Sequence, residues 1–421
     1  MNRASGFLTG ILIVALSCIC SSAVSDQIDQ MSDSTSQGFV LGIFGNANLD
    51  DRIDEMDIAY IEGAINGTTA PTNLSDANYD GSVDANDIDQ IKKIMNNEEN
   101  KLIVIDSIGR VVTVNMPVNR LALLNKYCAE AIQIFGVQDR VVGIETEAQE
   151  YTYLPEICRL PALGKAGDPD LETVISLNPD LLITWYSTNV PDLEKGLPES
   201  IPIIDLSFTK PENLTREVKT LGYIFGKVDQ ADDYILNFHD KYVGMIKSRL
   251  EGLSDNDRPR VYLECNAAYK TYGNTTGAHQ MMELAGGKNI FDDVSGIPTV
   301  DPEAIIDKNP EVIIRGAYTD AGYNFDSSSN LSDLREQIMN RPGFDRILAI
   351  SSNNTYLVDV NLHYGLDYPV GLLYFAKIIH PELFEDVDPK AVHQEFLTRV
   401  LGVDYDLSKH GVFVYPPLEV R

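Results

Sequence analysis

The apolar positions change period twice along the chain. Residues 7–19 form a nearly continuous apolar run. From about Gly38 to Asn97 the spacing becomes 3 and 4, with Ile58, Ile61 and Ile65 on one helical face and Ile88, Ile91 and Met95 on another. From Leu102 onward, short β-type runs alternate with helix-period segments, the pattern of an α/β domain with parallel sheets. A hairpin is expected at 102–105 and 111–114, and strands at 120–124, 141–144, 181–184 and 202–206. Helices are expected at 129–135, 171–177 and 213–225. The amphipathic run 230–250 predicts one helix of roughly 30 Å, at ~1.5 Å per residue, long enough to join two lobes. A strand at 260–264 then opens a second round, continued by strands at 312–315 and 355–360.

The first apolar run follows Arg3 and precedes Ser21-Ser22-Ala23, which gives 1–25 the form of a signal peptide. Cleaved, it leaves an exported protein. Uncleaved, it leaves a membrane tether, since the run is near the shortest that spans a bilayer. The polar stretch 26–37 reads as a flexible tether.

Two 12-residue loops follow, in matched register. Asn46, Asn48, Asp50, Arg52, Asp54 and Asp57 take positions 1, 3, 5, 7, 9 and 12 of the first, and Asp76, Asn78, Asp80, Ser82, Asp84 and Asp87 those of the second. Oxygen side chains at that spacing, with a backbone carbonyl from position 7, suit a hard cation such as Ca2+, so two Ca2+ sites are expected. Gly81 supplies the sharp turn at position 6 of the second loop, where the first has Asp51, so the second site is the better formed. Segment 38–100 resembles a dockerin, a small α-helical module with two EF-hand-type loops. The resemblance implies docking to a cohesin-like domain. The residues at positions 10 and 11, Glu55-Met56 and Ala85-Asn86, differ from the Ser-Thr pair of cellulosomal examples.

The large region repeats itself. Asp170-Leu-Glu172 through Asn178-Pro179-Asp180 to Ile183 matches Asp301-Pro-Glu303 through Asn309-Pro310-Glu311 to Ile314, each a short helix, an Asn-Pro stop and an apolar strand. Together with Asn119-Arg120, Gly136 to Gly143, Gly273 to Phe291 and the Tyr374 to Phe384 stretch, this resembles the class III substrate-binding proteins of ABC importers, which carry vitamin B12, haem and ferric siderophores. The implied fold is two α/β lobes with parallel sheets joined by one long rigid helix: lobe 1 at 101–228, the helix at 229–252, lobe 2 at 258–380 and a C-terminal extension at 381–421. The resemblance also implies an ABC permease and ATPase as partners. Glu172 and Glu303 fall at the positions of the family's two permease-docking glutamates.

Open α/β sheets bind ligands at the carboxyl ends of their strands. The residues there are Lys126, Tyr127, Trp185, Tyr186, Tyr269, Tyr272, Tyr318, His363 and Tyr364. Aromatic faces with polar tips suit a large planar or chelate ligand, a corrinoid, haem or ferric siderophore, and a bare oxyanion such as molybdate stays open.

Charge narrows the classes. With 33 basic against 63 acidic residues the net charge is −30, which repels phosphate backbones and excludes a nucleic-acid partner. No Gly-x-Ser-x-Gly, His-Glu-x-x-His or Gly-x-Gly-x-x-Gly motif occurs, so a non-enzymatic binding protein is expected. A dockerin-bearing exported enzyme and a surface protein using the domain as scaffold are the alternatives. Beyond the leader, Cys128, Cys158 and Cys265 allow three thiols or a bridge between Cys128 and Cys158. Six Asn-x-Ser/Thr sequons, at Asn66, Asn73, Asn213, Asn274, Asn330 and Asn353, would accept glycans in a host that modifies exported chains.

Overall fold

The computed structural model describes residues 40–418. The expected signal and tether lie outside the described residues. The chain divides into two units: one of Met1–Glu99 with Ile103–Val111, the other of Asn100–Leu102 with Val112–Arg421.

In the smaller unit, helices α1 (Glu55–Ile65) and α2 (Ala85–Asn96) each follow one of the acidic loops. Asp54 and Asp84 cap them, and each closes a reciprocal capping box with the acid three residues on, Asp57 or Asp87, satisfying amides that a helix start leaves without partners. Residues 103–111, expected in the large domain, fold with this unit instead. Phe44 N–H donates to the Ile103 carbonyl at 2.9 Å, Ile105 N–H donates to the Gly42 carbonyl at 2.7 Å, and Phe44, Leu74 and Ile103 make a shared apolar cluster. So small a unit is short of core, and the borrowed apolar residues supply some of it. The segment belongs to a hairpin of β1 (Lys101–Ile105) and β2 (Val111–Asn115).

The larger unit holds two sheets. The first is built from β3 (Leu121–Leu124), β4 (Val141–Ile144), β7 (Leu181–Thr184) and β8 (Ile203–Asp205), ordered β4-β3-β7-β8 and parallel throughout; the two-residue strands β5 (Gly164–Lys165) and β6 (Asp168–Pro169) form a separate ribbon. Around it lie α3 (Ala129–Phe135), α4 (Leu171–Ser176), α5 (Val190–Gly196) and α6 (Pro211–Phe225). Its strands are apolar on both faces, as parallel strands covered by helices must be, and Ala122, Leu124, Leu163, Val174, Leu182 and Leu193 form a dry core.

The second sheet runs β10-β9-β11-β12-β13, from β9 (Arg260–Glu264), β10 (Lys288–Asn289), β11 (Val312–Ala317), β12 (Thr355–Asp359) and β13 (Val414–Tyr415). Its helices are α9 (Gly277–Leu284), α10 (Pro302–Lys308), α11 (Ser329–Met339), α12 (Leu348–Ser351), α13 (Tyr368–Ile379) and α14 (Pro389–Glu395), and its core centres on Tyr262, Ile305, Ile313, Ile338 and Phe344. The four parallel strands end in an antiparallel one, with Leu357 opposite Tyr415. Residues 381–421, expected as an extension, thus include an edge strand of this lobe, which covers amides that β12 would otherwise expose.

The internal repeat is geometric as well as sequential. Asn178 and Asn309, each before a proline, both adopt left-handed backbone, with φ of 45° and 47°. Arg120 donates to the Asn178 carbonyl at 3.0 Å, and Arg260 does so to the Asn309 carbonyl at 3.0 Å. Asp180 accepts from the Arg120 amide at 3.0 Å, and Glu311 from the Arg260 amide at 2.9 Å. Each lobe therefore ends its short helix and starts its next strand with the same Arg and acid clamp.

The expected single helix is a helical run in three parts, α7 (Val228–Tyr234), a π-turn (Ile235–His239) and α8 (Asp240–Leu250). The first part packs on α6 and α3, the last on α13, so the run passes from one lobe to the other and the widened turn falls at the crossing. Buried Lys219 of α6 holds Asp232 of α7 at 2.6 Å. All three described cysteines are free: Cys128 and Cys265 are buried and Cys158 half-buried, so the bridge kept open between Cys128 and Cys158 is not formed.

Candidate functional site

A cavity of about 380 Å³ opens where strand ends of the two sheets face each other. Tyr127 reaches it from the turn after β3, Tyr151 and Tyr153 from the segment after β4, and Tyr318, Thr319 and residues 321–325 from the segment after β11. Asn361, Tyr364 and Asp367 come from the chain between β12 and α13. The walls are mainly phenol rings. Tyr153 stacks on Tyr323, with centroids 3.8 Å apart, and Tyr127 lies 5.1 Å from Tyr364.

Acids without basic partners sit behind those rings. Glu130 accepts from the Tyr153 hydroxyl at 2.9 Å and from the Leu366 amide at 3.1 Å, and burial pushes its carboxyl up to about 7. Asp367 is raised further by burial and by the neighbouring Glu130 and Asp359 charges. Asp359, also pushed up to about 7 by burial, spends Oδ1 on the amide and side chain of Asn361, both at 3.1 Å, while Oδ2 has no protein partner. Gly322, at φ 106°, lies against that oxygen: a Cβ there would stand 3.0 Å from Oδ2 in a backbone conformation that other residues resist.

Of the nine residues expected at the site, Tyr127, Tyr318 and Tyr364 line the cavity. Trp185 stands behind Tyr127 at 5.2 Å, its indole N–H donating to Glu145 at 3.2 Å, and half-exposed Tyr186 packs on Trp185 at 5.6 Å. Tyr272 is buried and shares a 2.7 Å hydrogen bond with the Tyr318 hydroxyl. Lys126 turns to Glu147, 2.8 Å away. His363 is buried behind Tyr364 and Phe375 with neither ring nitrogen partnered, and burial holds its pKa down to about 3, so it is neutral. Tyr269 packs instead in the lobe 2 core beneath the Arg341 guanidinium, 4.7 Å from its ring. Arg341 and Arg315 both close on buried Glu264, at 2.6 and 3.1 Å.

Sequence reasoning missed Glu130, Tyr151, Tyr153, Tyr323, Asp359 and Asp367. It named no candidate after β4, where Tyr151 lies seven residues past Ile144. The Tyr-x-Tyr pair at 151 and 153 and the Gly322-Tyr323-Asn324 turn were the available signals. Glu172 and Glu303 are exposed, in the first turns of α4 and α10.

The acidic loops fold back on themselves. In the second, Asp76 accepts from the Asp80 and Gly81 amides at 3.0 and 2.8 Å, Asp80 from Ser82, and Asp87 from the Asn78 and Asp84 amides at 3.1 and 2.8 Å, which gathers the expected positions into one ring. In the first, Asp57 bonds the Asn48 and Asp54 amides in the same way. Asn46, however, donates its amide to the Leu41 and Asp50 carbonyls at 2.8 and 2.6 Å, and Asn48 donates to Asp50, so that loop is knitted by its own amides. Asp57 and Asp87 are fully buried. Among the described residues no three His, Cys, Asp or Glu side chains are gathered as a metal-holding group, so a cation would draw also on Asn oxygens and backbone carbonyls. No helix among them is long and apolar enough to cross a membrane.

The family model described as periplasmic binding protein matches residues 121–362. A cobalamin-binding protein of Halobacterium salinarum is 27% identical over 224 residues, 51% of this chain and 58% of its own length, so the chain spans little more than half of that relative. The molybdate-binding protein MolA of Haemophilus influenzae is 22% identical over 338 residues, 72% of this chain and 92% of its own. Among solved structures, MolA bound to molybdate aligns with a TM-score of 0.60 at 20% identity, covering 72% of this chain and 99% of its own. The TroA-like FepB of Veillonella parvula aligns with 0.62 at 21%, covering 74% and 98%. These structures share the fold of the larger unit. With more than half of its length inside the family model and two parallel-sheet lobes facing each other across a cavity, this chain belongs to the periplasmic binding protein family.

Proposed function

We propose that this chain is the extracytoplasmic ligand-binding component of an ABC importer and that its ligand is a metal chelate: a corrinoid, a ferric siderophore or haem. The observation that carries the reading is the aromatic cavity at the carboxyl ends of strands from both lobes, where one ligand would touch both sheets at once. Relatives named for binding cobalamin and molybdate support the reading of a receptor for a metal-containing solute. The acidic walls count against a bare oxyanion and, among chelates, favour those without net negative charge, since a doubly charged anion in this cavity would face acidic side chains at low effective dielectric.

In this reading Glu172 and Glu303, exposed on pseudo-equivalent helices, meet a permease that works with an ATPase. The small unit binds Ca2+ through Asp76, Asn78, Asp80, Ser82, Asp84 and Asp87, and less readily through Asn46, Asn48, Asp50, Arg52, Asp54 and Asp57. It serves as a dockerin-like tether to a cohesin-like domain. Ca2+ would supply positive charge among buried carboxylates and fix the loop ends. The testing experiment is uptake of labelled chelate by cells carrying the chain and its transporter, with and without Glu172→Ala and Glu303→Ala. Loss of uptake with ligand binding intact supports the reading, and unchanged uptake counts against the docking role.

A further inference from the structure

Resting on the receptor reading, we infer that the cavity selects a ligand of net positive charge, a cationic metal complex, through carboxylates set behind a tyrosine wall. Three of its lining residues, Glu130, Glu150 and Asp367, are acids, and none of the sixteen is Lys, Arg or His. Lys126 pairs with Glu147 at 2.8 Å, its ammonium 5.2 Å from the Tyr127 ring centroid. A fourth acid, Asp359, is 1% exposed, and its Oδ2, without a hydrogen-bond partner, lies directly behind the lining residue Gly322. A buried carboxylate oxygen with no donor is costly unless something supplies positive charge or a proton.

The rings contribute in the same direction. Tyr faces attract cations through their quadrupole, most strongly where water is excluded, and Tyr127, Tyr151, Tyr153, Tyr318, Tyr323 and Tyr364 enclose the space. An anionic chelate would need basic side chains for its oxygens, and the only side-chain donors in the lining besides its acids are phenols, the Thr319 hydroxyl and the Asn324 and Asn361 amides. Desolvation also raises Glu130, Asp359 and Asp367, so a bound cation would draw protons off these groups and gain full ion pairs.

The test is calorimetric titration of the full chain with Ca2+ present to occupy the loops, at roughly 1 M salt, where charges more than ~3 Å apart on the surface are screened. The probes are hexaamminecobalt(III) and aquocobalamin as cations, cyanocobalamin as the neutral partner, and molybdate and a ferric catecholate as anions. The cations should bind more tightly than cyanocobalamin, and the anions more weakly. Repeated at ~0.01 M salt, where the Debye length is about 30 Å, Thr319→Lys and Glu150→Gln, both at exposed lining positions that should not disturb folding, should each weaken the cations about tenfold, the scale for one charge some 10 Å away at an effective dielectric near 20. An anion that outcompetes the cations, or a Thr319→Lys change that strengthens binding, overturns the inference and leaves the receptor reading standing. Absence of binding by every probe also overturns it. Cation binding with no transporter-dependent uptake of any chelate would retire the receptor reading and leave the charge preference in place.

Discussion

Tyr153 of the first lobe lies on Tyr323 of the second, ring centroids 3.8 Å apart and planes 26° from parallel. The chain on either side reinforces the contact. Thr152 donates to the Asn324 side chain at 2.5 Å, and the Asn324 amide donates to the Glu150 carbonyl at 2.7 Å. The stacked rings also line the cavity, so the groups that bring the lobes together are groups a ligand would touch.

The stack should behave as a latch. A double-mutant cycle of Tyr153→Leu and Tyr323→Leu, read by denaturant unfolding, should give a coupling of about 0.5–1.5 kcal/mol, the value for an aromatic pair beyond its area burial. Coupling near zero would mean that the rings touch without contributing to closure.

Buried Glu264 anchors lobe 2 by receiving both terminal nitrogens of Arg341, at 2.6 and 2.8 Å, with Arg315 alongside. Glu264→Gln leaves two buried guanidinium groups facing a neutral amide. It should cost about 3–5 kcal/mol of unfolding free energy, the range for breaking one side of a buried pair.

Stability should depend on pH in a way that reports Asp359. Its folded pKa, about 7, lies above its ordinary value of 3.8, so between those two values the folded state holds a proton that the unfolded chain releases. Its contribution is fully present below pH 4 and is lost as pH rises through 7, with a slope approaching ~1.4 kcal/mol per pH unit for one group. His363 and His393, held down to about 3 by burial, act in the opposite sense: their contribution is present above 6.5 and lost on acidification. The readable quantity is therefore a difference. Asp359→Asn should gain stability relative to the parent as pH rises from 5 to 8, and equal slopes for the two proteins would show that Asp359 is not strained.

Ca2+ should raise the melting temperature of the small unit. At 100 times its Kd a single site adds about 2.7 kcal/mol. Asp87→Ala should remove most of the shift and Asp57→Ala less, because the first loop is already held by Asn46 and Asn48. Chelation that leaves circular dichroism and melting untouched would exclude the cation role.

How much of this was legible in the sequence depends on the range of the interaction. The repeat at Asp170 and Asp301 gave away both short helices and the strands after them, because an N-cap acid, an Asn-Pro stop and an apolar run are local signals. Tyr127, Tyr318 and Tyr364 were expected at the site for the same reason: each lies within five residues of a strand's carboxyl end. Glu130 was not, because it sits within α3, where an acid normally faces water, and only tertiary packing against Leu366 and Tyr153 turns it inward. Residues 103–111 and 414–415 were misassigned because pairing with Gly42 and Phe44, or with Leu357, leaves no mark in the local pattern. The π-turn at Ile235–His239 preserves the amphipathic stripe closely enough to read as straight helix.

The central claim, that the cavity receives a metal chelate, is tested most directly by the fluorescence of Trp185, the sole tryptophan, whose indole rests 5.2 Å from the cavity-lining Tyr127. Titration with a corrinoid, haem and a ferric siderophore should produce saturable quenching by at least one of them, with a matching rise in melting temperature, and Tyr127→Ala should weaken it. No saturable change with any of the three, in emission or in melting, would contradict the account.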